Sequence, residues 1–234
     1  MKNTADSSNR VLPFRHSSHH TAQTRARHPL SALKPTRLAH ADLMRAREEV
    51  VAMFSGITRK VPKGALFQPK PYATHQEATA AKVHWWGYST AVEIAALHHD
   101  SPEDLKDLYT LARLKKQYGA GVASWVDWVT HQDKSLPWAE RQKRYLDRLK
   151  RAPEEAVAIS CADKLVNMED TIVILKAGYS IDTILKAGTQ AQLEKLRELG
   201  SLYSQRLPLR IVEEYMRTYR ELEKLTRNPN LKSE

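Results

Sequence analysis

The chain has 234 residues, 41% of them apolar, and a formal net charge of +10, a length that suits one sizeable domain or two small ones. No run of about 18 apolar residues occurs, which excludes a conventional membrane-spanning helix, and no charged-then-apolar opening marks a secretory leader. The single cysteine, Cys161, excludes an intramolecular disulfide and fits a reducing, cytoplasmic setting.

The positive charge attracts polyanions or phosphorylated small molecules, but it is unevenly spread. Residues 1–40 hold seven Lys and Arg (Lys2, Arg10, Arg15, Arg25, Arg27, Lys34, Arg37) against Asp6, six of the ten excess charges. This stretch is rich in Ser, Thr, Arg and His and lacks apolar periodicity, so it reads as a disordered basic tail. Asp6 and Pro13 spoil the amphipathic helix of a transit peptide. The remaining chain is only mildly basic, and its composition demands no nucleic-acid-binding surface.

Residues 41–226 read as one domain, with 227–234 as a second tail. Asp42 begins a helix that Gly56 stops, and residues 57–73 form a Pro-rich basic loop. Thr74-His75-Gln76-Glu77 has the form of a capping box, which places His75 at the first position of a helix running to Trp86. Thr90 to Glu93 has the same form and opens an apolar, buried helix to His99. Ser101-Pro102-Glu103-Asp104 then supplies a cap, a proline and first-turn acids. Leu105, Leu108, Leu111 and Leu114 predict that this helix continues to Gly119. Val122 to Val129 forms a short helix, and Pro137 opens a basic amphipathic one whose charges read as a solvated face. Pro153 opens a core helix through Cys161, Leu165, Met168 and Ile172; Thr189 and Pro208 open the last two. Period-two alternation is nowhere sustained, so the expected class is all-α.

Chemistry concentrates at His98-His99-Asp100, which ends one apolar run and is followed at once by Glu103 and Asp104. Imidazole and carboxylate are ordinary ligands of divalent transition metals. Acids three and four residues beyond Asp100 stand where a group that orients or deprotonates water is needed. Asp163 and Asn167 share a face of the core helix. A buried carboxylate there requires a facing cation, either a metal or a basic side chain.

His75, then His99-Asp100, then Asp163 is the order of the HD phosphohydrolase superfamily, which this chain resembles. Ala95-Ala-Leu-His-His-Asp-Ser-Pro-Glu-Asp104 looks like the HDxxED pattern of RelA/SpoT-type hydrolase domains, and Pro71-Tyr72-Ala-Thr-His75 is similar to their PYxxH. Val129-Thr130, Asp133 to Pro137 and Glu140-Arg141 resemble small stand-alone SpoT-like hydrolases, as does Ala162-Asp163-Lys-Leu-Val-Asn167. The resemblance implies an all-α HD-domain helical bundle holding one Mn²⁺ on His75, His99, Asp100 and Asp163. It implies removal of the 3′-pyrophosphate from (p)ppGpp, a small phosphorylated nucleotide, with Glu103 and Asp104 handling the attacking water. Asn167 and Lys70 would contact the nucleotide. The family's guanine-orienting Arg-Lys pair lies eight to nine residues before the first His, positions held here by Leu66 and Phe67. On that spacing the guanine contact and the loop glycine are missing, and Phe67 is left to stack on a base. Two alternatives stay open: an HD-fold regulator that binds metal or nucleotide without turnover, and a basic helical nucleic-acid binder.

Overall fold

The computed structural model describes residues 38–105, 108–130, 135–180, 182 and 187–227. The two predicted tails lie almost wholly outside these residues. The elements are α1 (His40–Met53), α2 (Ala73–Trp85), α3 (Thr90–Leu97), α4 (Ser101–Asp104), α5 (Leu111–Tyr118), α6 (Ala120–Val129), α7 (Trp138–Leu149), α8 (Glu154–Lys176), α9 (Thr189–Arg206) and α10 (Leu209–Arg227). Among the described residues the one extended pairing is an isolated antiparallel bridge between Thr58 and Pro71. None of the described helices is long and apolar enough to cross a membrane.

The fold is built round α8, which packs against α2, α3, α6, α9 and α10. Its apolar residues are not confined to one stripe: Ala156, Val157, Ala158, Ile159, Cys161, Ala162 and Leu165 are all fully buried. A helix apolar on most sides must be enclosed by neighbours, and the alanines let those neighbours come close. The second buried helix is α3, where Ile94, Ala95, Ala96 and Leu97 have no exposed surface. Truncating Leu97 to Ala in such a core costs about 2–5 kcal/mol, because transfer energy is lost and a cavity stays behind. The basic face of α7 is solvated as the charge pattern predicts. Arg144 pairs with Glu140, Lys150 with Asp147, and Arg148 crosses to Asp127.

A left-handed turn at Gly87 (φ 85°) reverses the chain between α2 and α3. Its amide donates to the His84 carbonyl at 2.8 Å, and the Tyr88 amide donates to that of Val83 at 3.1 Å. This closure satisfies carbonyls that a helix end leaves open. It also folds α3 back along α2, so that the end of α3 returns to the start of α2.

Local structure departs from the sequence reading at three places. The two capping boxes do not form: α2 and α3 start without a side-chain cap. The Thr74 hydroxyl donates to the Pro71 carbonyl at 2.7 Å instead, and the buried Glu93 carboxylate is taken by His84 Nδ1 at 2.9 Å. The helix expected from Ser101 to Gly119 is broken. α4 ends at Asp104, and Thr110 starts α5 by accepting the Arg113 amide at 3.2 Å. Leu108, which suggested continuity, is 72% exposed, while Tyr109 turns inward.

Candidate active site

Three helical segments deliver the predicted donors to one point. His75 sits in the first turn of α2, His99 and Asp100 lie between α3 and α4, and Asp163 is at the middle of α8. His75, His99 and Asp163 are buried, and each presents one ligand atom within 4.8 Å of the other two. The Nε2 atoms of His75 and His99 face each other at 3.2 Å. Asp163 Oδ1 is 3.2 Å from His75 Nε2 and 3.8 Å from His99 Nε2. Asp100 closes the solvent side, its Oδ2 3.2 Å from His99 Nε2 and 3.7 Å from His75 Nε2.

The tautomer of His99 follows from its backbone contact. Its Nδ1 lies 2.7 Å from the Ala96 carbonyl, which only accepts, so Nδ1 carries the proton and Nε2 of the neutral ring offers its lone pair inward. A neutral His75 can meet that lone pair with its own Nε2–H across 3.2 Å, and a metal ion would be met by the lone pairs of both rings. Burial disfavours the charged form at both histidines. At His75 burial prevails and the imidazole pKa is lowered. At His99 the Asp100 and Asp163 carboxylates outweigh burial and raise it. Burial likewise opposes charge on Asp163, and Lys164 and the imidazoles overcome it, holding the carboxyl well below its usual range. Two imidazoles with two ionised carboxylates form a mixed N/O donor set that fits Mn²⁺, Fe²⁺ or Zn²⁺.

The acids predicted beyond Asp100 lie on α4. Asp104 Oδ2 accepts from the Tyr72 hydroxyl at 3.0 Å, and the same hydroxyl stands 3.2 Å from Asp100 Oδ2. Burial, Asp100 and Asp104 all raise the Tyr72 pKa, so the phenol stays protonated and serves as a donor. Tyr72 thus links the donor group to α4, a role the sequence reading missed although the residue stood inside a quoted motif. Glu103 is the neighbour of Asp104 on the same short helix.

Asn167 bridges in the other direction. Its amide nitrogen donates to Asp163 Oδ1 and its oxygen accepts from Arg59 Nη2 at 2.6 Å. Lys70, the other predicted contact residue, pairs with Asp170 at 2.9 Å. These side chains line a cavity of about 380 Å³ that opens beside the donor group and also takes in Lys60, Phe67, Lys164 and Lys195. The volume is that of a small-molecule site.

The spacing count and the cavity lining point to different residues. Leu66 is 98% exposed and Phe67 lines the cavity, but the cations at its mouth are Arg59 and Lys60. They precede His75 by a longer loop than the expected spacing allows, and that loop contains Gly64. Counting back from His75 misses them because the loop base is fixed by pairing instead of length. The Arg59 amide donates to the Lys70 carbonyl at 2.9 Å and the Tyr72 amide to that of Ile57 at 2.8 Å. Lys70 has company there. Arg59, Lys60, Lys164 and Lys195 all share its cavity.

Residues 58–177 match the model of the HD domain. The chain belongs to the HD-domain family. Within it, the chain is 35% identical over 116 residues to the zebrafish (Danio rerio) guanosine-3′,5′-bis(diphosphate) 3′-pyrophosphohydrolase MESH1, covering 49% of this chain and 63% of that protein. To human MESH1 it is 29% identical over 180 residues, covering 71% of this chain and 95% of that one. The chain thus spans a little under two thirds of the first of these relatives. Among solved structures, a Listeria monocytogenes EGD-e protein superposes with a TM-score of 0.57 at 25% identity, over 66% of this chain and 99% of its own. A metazoan orthologue of SpoT that hydrolyses ppGpp superposes with a TM-score of 0.59 over 83% of this chain and 98% of its own; at 21% identity it shows the fold alone. The HD domain accounts for α2 to α8, while α9 and α10 lie beyond the matched residues.

Proposed function

We propose that this HD domain is a metal-dependent phosphohydrolase that removes the 3′-pyrophosphate of guanosine (p)ppGpp. The observation that carries the proposal is the convergence of His75, His99 and Asp163 with Asp100, directly beside a cation-lined cavity. The names of the MESH1 relatives support the substrate. Mn²⁺ is the ion the resemblance implies; held by His75, His99, Asp100 and Asp163, it would supply Lewis acidity to water and to a phosphoryl oxygen.

The chain's own residues supply the rest of the reaction. Water forms a bond to the phosphorus on the ribose 3′-oxygen, the bond between that phosphorus and the 3′-oxygen breaks, and pyrophosphate leaves. The water's proton passes to the acid pair on α4, where the Tyr72 hydroxyl aims Asp104. The 3′-oxygen takes up a proton as it departs. Asn167 keeps Asp163 and Arg59 in register, and Arg59, Lys60 and Lys70 neutralise phosphate charge at the mouth of the cavity. The single buried cysteine suits a cytoplasmic enzyme.

The test is metal content of the purified protein together with pyrophosphate release from a nucleotide panel that includes ppGpp, with Mn²⁺ and with chelator, and with Asp100→Ala run in parallel. Metal-dependent release lost in the variant is the expected result. Bound metal without turnover on the panel would retire the activity in favour of the regulatory reading. Absence of bound metal in both proteins would overturn the ligand assignment.

A further inference from the structure

Cations line the cavity on several sides, and most of them are already paired. Lys164 binds Asp163, while Arg59 and Lys70 share Asp170. Lys60 is exposed to solvent. Lys195, which reaches the cavity from α9, is different. It is half-buried, it has no carboxylate within ion-pair distance among the described residues, and its nearest partner is Gln192 Oε1 at 3.5 Å. Burial, Lys164 and Arg141 all act against its charge and lower its pKa to about 7, with the Asp163 carboxylate opposing them. A partly desolvated ammonium without a counter-charge is costly unless something anionic completes it. It stands in the wall of a cavity whose lining excludes His75, His99, Asp100 and Asp163. Lys195 itself is beyond ion-pair distance of Asp100 and Asp163, so it meets a substrate group other than the one held at the donor atoms.

Resting on the proposed hydrolase activity, we infer that Lys195 binds the phosphate chain that is not cleaved, so that α9 selects nucleotides phosphorylated at two separate positions. A compact ammonium on a flexible stem suits a mobile diphosphate as a point charge. Asn167 and Lys164 bond the donor group at Asp163 and line the same cavity as Lys195, so one substrate would be held at both ends with the sugar between them. Lys195 lies on α9, outside the matched residues 58–177.

The experiment compares the wild-type protein with Lys195→Met and Lys195→Arg on two substrates: guanosine 3′,5′-bis(diphosphate) and guanosine 3′-diphosphate with a free 5′-hydroxyl. Loss of one charge-assisted contact is expected to raise KM for the first by about 10- to 100-fold at nearly constant kcat. KM for the second should not move, and Lys195→Arg should restore most of the loss. Equal effects on both substrates, or none on either, overturn the inference. If the wild type turns over neither substrate, calorimetric titration with inorganic pyrophosphate in the presence of chelator decides the matter separately. Binding lost in Lys195→Met sustains the phosphate contact while retiring the proposed activity, and binding equal in the two proteins overturns the contact.

Discussion

Tyr72→Phe isolates the hydroxyl that joins the donor group to α4. The ring is held independently of that hydroxyl: it stacks on Phe54 with centroids 4.9 Å apart and lies under the Arg59 guanidinium at 5.6 Å. The substitution therefore removes an oxygen without disturbing the packing. One hydroxyl has one proton to donate, so the contacts to Asp104 and Asp100 at 3.0 and 3.2 Å count as a single shared charge-assisted bond. Such a bond contributes about 1.5–3 kcal/mol. If that energy aims Asp104 at the water, kcat falls by about 10- to 150-fold. KM changes little, because Tyr72 makes its bonds to protein carboxylates. The assay is pyrophosphate release from ppGpp across a Mn²⁺ titration, with thermal melts of both proteins. A variant that keeps wild-type kcat at saturating metal would refute the positioning argument. A loss cured by more metal would move the role of Tyr72 from Asp104 to Asp100.

Chelation should remove activity and lower the melting temperature together. An ion present at a hundred times its Kd stabilises the folded state by about 2.7 kcal/mol, and calorimetry with and without Mn²⁺ measures the shift. Gly87→Ala should destabilise the fold by about 1–2 kcal/mol through its left-handed backbone alone, since an added Cβ meets nothing nearer than Arg210 Nη2 at 3.8 Å. Urea unfolding reads that cost, and activity per folded molecule should be unchanged. Glu214, despite partial burial, is held below its usual pKa by Lys82 and Trp86. Its contribution to stability is therefore complete above pH 4.5 and fades as pH falls toward the lowered folded value. Glu214→Gln should flatten the acid limb of the unfolding curve and leave the neutral region's slope alone.

The sequence is most legible where one helix determines the outcome. The unbroken apolar character of α8 identifies a core helix, and a carboxylate at its middle requires a facing cation, which Lys164 and the imidazoles supply. His99-Asp100 is equally readable, because the end of a buried apolar run leaves its next residues at an interior boundary. Where several elements compete for one side chain, the local pattern misleads. Glu93 fits a capping box by spacing, yet His84 on the neighbouring helix takes its carboxylate. Leu108 continues a helical period, yet Thr110 starts a new helix and Tyr109 takes the buried place. Arg59 and Lys195 are the clearest omissions. One is brought to the site by a backbone pairing that leaves no spacing rule in the chain, and the other arrives on a helix distant in sequence from every motif. The partners of Asn167 and Lys70, which are Arg59 and Asp170, are not legible, because nothing in a linear chain marks which charges will meet.

The bridge between Thr58 and Pro71 has a consequence for how this protein can change. It fixes the two ends of the intervening loop next to each other, so the residues between can lengthen or shorten while Arg59 and Tyr72 keep their stations. Doubling such a loop adds only about 0.6 kcal/mol of closure entropy. The segment therefore behaves as an exchangeable cassette at the mouth of the cavity. Phe67, which projects from it to meet Tyr179 edge-on, can be redesigned or lost by drift without touching the reaction centre, and relatives can diversify what they admit while keeping what they do.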